Sequence, residues 1–230
     1  MKRLLKTRLS RREEILFVAG FVIALAGMGI LKFFHDHQAA IPYQEAGIDS
    51  PWIPSTVKYW KDPINEQSKK YNIDPNYVAI IMTMESGGYA KAKSPAGAVG
   101  LMQVTPPTAK EIAVRHLKEP VKKYDLSDPK TNIEFGTAYL AYLRKTFQSP
   151  DQGPSWNATA EEVAGSYNAG PIAGLHLEQG KGIRDTQALI YSRDAFNMWR
   201  ERHAKKSPTF DRWKERGGQR LIDKAKDAHQ

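Results

Sequence analysis

Residues 15–31 read ILFVAGFVIALAGMGIL, 17 positions without a charge, and the apolar character continues past Lys32 to Phe34. Twenty residues of helix at about 1.5 Å each reach about 30 Å, the thickness of a bilayer's hydrocarbon core. The run is apolar on every face, unlike a core helix with one buried stripe. Residues 15–34 are therefore expected to form a single N-terminal transmembrane helix. Lys2, Arg3, Lys6, Arg8, Arg11 and Arg12 precede it. By the positive-inside rule this 1–14 segment stays in the cytoplasm, and everything beyond the run lies on the outer side of the cytoplasmic membrane. Ala24-Leu25-Ala26 also fits a signal-peptide cleavage site. Cutting there would leave an exposed apolar end at 28–34, so an uncleaved anchor is the expectation.

After this run the pattern changes. Residues 35–54 show no clear period and contain Pro42, Gly47, Pro51 and Pro54, which reads as a linker. Beyond it, helix-start signals recur. Asp62-Pro63, Asp74-Pro75 and Asp128-Pro129 each put a capping acid before a proline at the first helical position. Thr159-Ala160-Glu161-Glu162 has the spacing of a capping box, and Pro107-Thr108 opens a further helix. Tyr77, Ile80, Ile81 and Met84 repeat at helical spacing, and Ile133, Gly136, Leu140 and Leu143 come close to it. Period-two runs bounded by hairpin turns are scarce. The reading is a mostly α domain over 55–200, followed by a polar, basic tail at 201–230 that forms a surface helix or stays mobile.

Charge and composition narrow the function. The chain has 230 residues, no cysteine and a formal charge of +9. Residues 1–14 hold six basic and two acidic side chains, and residues 201–230 hold nine and five, so both ends are basic while the part between is almost neutral. A nucleic-acid binder carries its basic stripe on the folded domain, so no nucleic-acid partner is expected. Without cysteine there is no disulfide framework, thiolate metal site or cysteine nucleophile. The histidines show no ligand spacing, so neither a metal nor another cofactor is expected.

The candidate chemistry centres on Glu85. It closes the helix that opens at Pro75, because Gly87-Gly88 follows. Met82, Ile81 and Val78 precede it by three, four and seven positions, so the carboxyl group shares a helix face with apolar neighbours. Burial and the negative end of the helix dipole both raise a carboxyl pKa, as a general acid near neutral pH requires. Taken alone, however, a helix-end glutamate pointing to water explains the same position. Ser94-Pro95-Ala96-Gly97-Ala98-Val99-Gly100-Leu101-Met102-Gln103 is a loop of small residues through which backbone can approach a ligand. Ser166-Tyr167-Asn168-Ala169-Gly170 ends a later helix. A turn between core elements and an ordinary helix C-cap account for these two pieces if each is read singly.

In this order the pieces resemble the lytic transglycosylases with a lysozyme-like domain, the soluble lytic transglycosylase family related to goose lysozyme. The matching stretches are ESGGYAKAKSPAGAVGLMQVTPPTA from Glu85, DLSDPKTNIEFGTAYLAYL from Asp125 and AGSYNAG from Ala164, with a weaker match around Tyr191. The resemblance runs from about residue 60 to Arg200. It implies a lysozyme-like helical fold with a sugar-binding groove and peptidoglycan glycan strands as substrate. It implies Glu85 as the single catalytic acid and then base, and Ser94 as a hydrogen-bond partner near a substrate N-acetyl group. Met102 and Gln103 would line the groove, Tyr167 and Asn168 would border the cleaved subsites, and Tyr191 would orient the acid.

The spacing of acids bears on the reaction. Ordinary glycosidases flank the bond with two carboxylates, yet 86–107 contains no Asp or Glu. Asp125, Asp128 and Glu161 sit at helix starts, where capping is their expected work. A lone acid points to a lytic transglycosylase that leaves 1,6-anhydro-MurNAc ends. A hydrolytic muramidase and a non-catalytic glycan-binding module are the alternatives. A small domain tethered to the bacterial cytoplasmic membrane suits wall remodelling, or opening a passage for a secretion or conjugation apparatus as a further partner.

Overall fold

The computed structural model describes residues 47–114, 118, 124–147 and 159–229. The anchor expected at 15–34 and its basic flank lie outside the described residues. Among those described, no helix is long and apolar enough to cross a membrane.

The described chain is mostly helical: α1 Ser55–Lys58, α2 Lys61–Tyr71, α3 Pro75–Ser86, α4 Pro106–Ile112, α5 Pro129–Phe147, α6 Ala160–Ala169, α7 Pro171–Glu178, α8 Thr186–Arg200, α9 Pro208–Trp213, a π-helical turn Lys214–Gly218, and α10 Gln219–His229. Among the described residues β pairing is confined to two isolated bridges, Lys93–Val99 and Val99–Val104.

Helix α3 runs through the core. Asp74 caps it by accepting a hydrogen bond from the Asn76 N–H at 2.8 Å, Pro75 fills the first position, and Gly87 ends it in the left-handed conformation at φ 63°. Every residue of α3 is buried except Glu85. A helix apolar on all sides must be surrounded by other elements. Here α2, α8, α1 and α10 surround it, and Tyr77 packs edge-on against Trp199 of α8 with ring centres 5.6 Å apart. Glu85 therefore does more than share one face with Val78, Ile81 and Met82: it is the single break in a fully buried helix.

Three expected helix starts differ in detail; α4 opens at Pro106, one residue before Pro107, with Thr105 as its cap. Helix α2 begins at Lys61, one residue before Asp62, so Asp62 lies in the first turn and Trp60 holds the cap position. Its charge still favours that helix end. Thr159 precedes α6, but its side chain makes no capping hydrogen bond; at φ −128° and ψ −2° it lacks the extended backbone an N-cap adopts. Asp128 does cap α5, accepting from the Thr131 N–H at 2.8 Å.

Two outer segments are tied to the domain. The end of the expected linker is built into the domain: the Asp49 and Ser50 N–H groups both donate to Asn76 Oδ1 at 3.1 Å, and Ile53 is buried. The segment expected as a surface helix or a mobile tail is helical over α9 and α10 and packs on the domain. Glu201 accepts from Ser207 Oγ at 2.5 Å and from the Thr209 hydroxyl at 2.8 Å, which fixes the turn into α9. Phe210 stacks between Trp52 and Trp213, at 5.4 and 5.8 Å between ring centres. In α10, Ile222 and Ala225 are buried. The positive net charge concealed this, because the apolar contacts rest on a few residues spaced along a polar sequence.

Candidate active site

The end of α3 is gripped from several directions. Ser86 Oγ donates to the Leu101 carbonyl at 2.7 Å and accepts from the Gly88 N–H at 3.2 Å. One hydroxyl thereby joins the acid's helix to the loop after it. Thr56 Oγ1 donates to the Gly87 carbonyl at 2.7 Å, and the Trp60 indole N–H donates to the Gly88 carbonyl at 3.0 Å. A Cβ on Gly88 would lie 2.4 Å from the Thr56 carbonyl oxygen, so this close approach requires glycine.

The loop folds back as a narrow antiparallel turn. Val99 and Val104 exchange both backbone hydrogen bonds, at 3.1 and 3.0 Å. Asn132, on α5 and fully buried, is its anchor. Its Oδ1 accepts from the Met102 N–H at 2.8 Å, and its Nδ2 donates to the Val99 and Leu126 carbonyls at 2.9 Å each. From the other side the Tyr167 hydroxyl donates to the Met102 carbonyl at 2.7 Å. The Met102 peptide is thus held at both ends. Gln103 adopts φ 45°, and its side-chain amide donates to the Gly100 carbonyl at 2.9 Å.

Glu85 itself accepts one hydrogen bond, from the Tyr191 hydroxyl on α8 at 2.5 Å. Burial pushes its carboxyl up to about 7, against the opposing effect of that hydrogen bond. Burial, together with the Glu85 charge, holds Tyr191 well above the usual phenol range, so it stays a donor. Tyr167 is raised for the same two reasons, which places it within electrostatic reach of Glu85. The Tyr167 ring rests on Tyr139, with centres 5.4 Å apart.

The sequence-derived candidates therefore divide. Glu85, Tyr191 and Tyr167 come together. Gln103 stands next to the clamped Met102 peptide, half-buried. Asn168 is exposed at the end of α6. Ser94 is half-buried, and its Oγ accepts from the Ala98 N–H at 3.0 Å, stabilising the turn of its own loop while keeping a hydroxyl proton to donate. Met102 is corrected: its side chain is fully buried against Gly136 of α5, so it does not line a groove and shapes the site through its backbone. Of the acids set aside as caps, Asp128 caps α5, Asp125 accepts from the Ser127 N–H at 2.8 Å in the turn before that helix, and Glu161 lies in the first turn of α6 without capping it. Among the described residues no cluster of three or more His, Asp or Glu is placed to hold a metal ion. Sequence reasoning passed over Ser86 and Asn132. Their signal is weak, since a serine after a glutamate and an asparagine within a helix carry no pattern of their own.

Removing the Tyr191 hydroxyl has two expected effects. Tyr191→Phe should slow glycan cleavage by about 10- to 100-fold, the worth of one hydrogen bond to a charged group. It should also move the Glu85 titration upward, because the lost bond is what lowers it. A pH–rate profile of the variant checks both.

The chain is similar to several known proteins. Residues 62–190 match the family described as the transglycosylase SLT domain. The membrane-bound lytic murein transglycosylase E of Buchnera aphidicola subsp. Baizongia pistaciae is 41% identical over 142 residues, covering 60% of this chain and 65% of the relative. The protein of the same name from Buchnera aphidicola subsp. Acyrthosiphon pisum is 39% identical over 99 residues, covering 42% of this chain and 45% of the relative. This chain thus spans about half to two thirds of the length of these two relatives. The 70 kDa soluble lytic transglycosylase of Escherichia coli aligns with a TM-score of 0.44 at 25% identity, covering 66% of this chain and 27% of that one. With the family match extending over more than half of its length, the chain belongs to the transglycosylase SLT domain family.

Proposed function

We propose that the chain is a peptidoglycan lytic transglycosylase that cleaves the β-1,4 bond between MurNAc and GlcNAc and leaves 1,6-anhydro-MurNAc ends. The observation that carries this is Glu85: one acid, on an otherwise buried helix, with its carboxyl raised to about 7. Family membership and the names of the relatives support the same substrate.

The first step needs a proton at the glycosidic oxygen, and a carboxyl group titrating near 7 carries one at neutral pH. As Glu85 donates it, the C1–O bond breaks and the acetamido oxygen of the same MurNAc closes on C1. Glu85 is then a carboxylate held by Tyr191. It removes the proton from the 6-hydroxyl, whose oxygen forms the new bond to C1 and displaces the acetamido oxygen. Glu85 ends protonated, and no water has been consumed. Holding the 6-hydroxyl in the place of water is a proximity effect. In this reading Ser94, Gln103, Tyr167 and Asn168 serve as sugar contacts.

The test is the mass of the products. Purified peptidoglycan digested with the protein should give muropeptides lighter by one water than hydrolysis products. Reducing ends would establish a muramidase, and intact glycan a binding module. Because the acid must be protonated, kcat/KM should fall as pH rises through about 7. A rate that stays level to pH 9 would remove Glu85 as the acid.

The anchor at 15–34 is part of the same reading. It would hold the domain at the outer face of the cytoplasmic membrane, beside the wall, in a role in wall remodelling or in passage of a secretion or conjugation apparatus. The names of the relatives support membrane association. Retention in the membrane pellet after alkaline carbonate washing, lost on deletion of 15–34, tests it.

A further inference from the structure

The segment 201–229 contacts both elements that carry the Glu85–Tyr191 bond, the end of α3 and helix α8. On the acid's side, α10 lies on the glycine that ends α3. A Cβ on Gly87 would fall 2.7 Å from the Ile222 nitrogen and 2.7 Å from the Leu221 carbonyl carbon. Gly87 stands two residues after Glu85. On the tyrosine's side, Arg216 in the π-helical turn pairs with Asp194, which lies one helical turn after Tyr191 on α8. The Asp194 side chain is only 11% exposed. The turn that presents Arg216 is itself specified: Gly217 takes φ 112°, and a Cβ on Gly218 would overlap the Trp213 ring at 2.4 Å. Phe210 and Trp213 then tie this segment to Trp52.

We propose that residues 201–229 form a positioning clamp for the acid, with α10 fixing the end of α3 and the Arg216–Asp194 pair fixing the register of α8, so that the Tyr191 hydroxyl meets Glu85. Arg216 and Asp194 are positioning residues, since neither touches Glu85. The inference rests on the reading of Glu85 as the acid.

A double-mutant cycle on the full chain tests it, with peptidoglycan turnover and the thermal midpoint as readouts. Arg216→Ala should lower kcat on the order of tenfold, the scale of a small displacement of a reacting group, with KM little changed. In a Tyr191→Phe background the same substitution should cost almost nothing further, because both act through one bond. Arg216→Lys, which keeps the charge, should recover most of the rate and guards against an alanine variant that fails to fold. Losses that multiply in the double variant, an unchanged kcat in Arg216→Ala, or a lysine variant as slow as the alanine one would each overturn the clamp. Glu85→Gln separates the two layers. If it is inactive while Arg216→Ala is fully active, the clamp fails and the acid stands. If Glu85→Gln turns over normally, both fail.

Discussion

Glu85→Gln is expected to lower peptidoglycan cleavage by about 10²–10⁴-fold, the range for a general acid–base group, and toward the upper end because one side chain serves both steps. Glutamine keeps the size and an oxygen for the Tyr191 hydroxyl, so glycan binding should survive. The same variant should be more stable than the parent at alkaline pH. In the folded protein the carboxyl titrates near 7, against 4.5 as its ordinary value. The folded state therefore holds its proton longer than the unfolded chain does. Stability is highest below about 4.5 and falls as pH rises through 7, by up to about 3 kcal/mol. Glutamine has no proton to lose. Thermal melts at pH 8 should place the variant above the parent, and the gap should close by pH 4. A variant less stable at pH 8 would mean that the carboxylate is stabilised by its surroundings, contrary to the assignment.

The second large effect falls on stability. Asn132→Ala removes three hydrogen bonds together, the buried one to the Met102 N–H and the part-buried ones to the Val99 and Leu126 carbonyls. The Met102 N–H is left buried and unpaired, at about 1–3 kcal/mol before relaxation, while the Val99 carbonyl keeps the Val104 N–H and Leu126 is half-buried. With the two part-buried bonds also lost, the expected loss is about 2–4 kcal/mol, read as a lower urea midpoint with an unchanged slope. Gly100 packs directly on the same amide, where a Cβ would meet Nδ2 at 2.3 Å. A loss below 1 kcal/mol would show that Asn132 does not anchor this loop.

What was legible in the sequence follows from the range of each interaction. Asp74-Pro75 and Asp128-Pro129 are local, and they mark the starts of α3 and α5. The Gly87 stop is local too. Glu85 was readable as a candidate because its helix neighbours are apolar, and the order of the short motifs pointed to the family. Sequence could not show that Met102 turns inward. A methionine beside a glutamine reads as groove lining until Gly136, on a helix far along the chain, proves to be the surface it fills. It also could not show that Arg216 faces Asp194, because their pairing depends on a π-helical turn that no short pattern encodes. The packing of the 201–229 segment was hidden for a related reason. Average polarity described the segment, but Phe210, Ile222 and Ala225 decide where it packs.

The bond between Tyr191 and Glu85 joins positions 106 residues apart. Contacts of that reach must await the closure of long loops, whose entropy is lost before any contact compensates it. In refolding from urea, secondary structure should therefore return ahead of glycan cleavage, with the catalytic signal following the slowest phase. Helix content alone would then overstate how much of a preparation is competent.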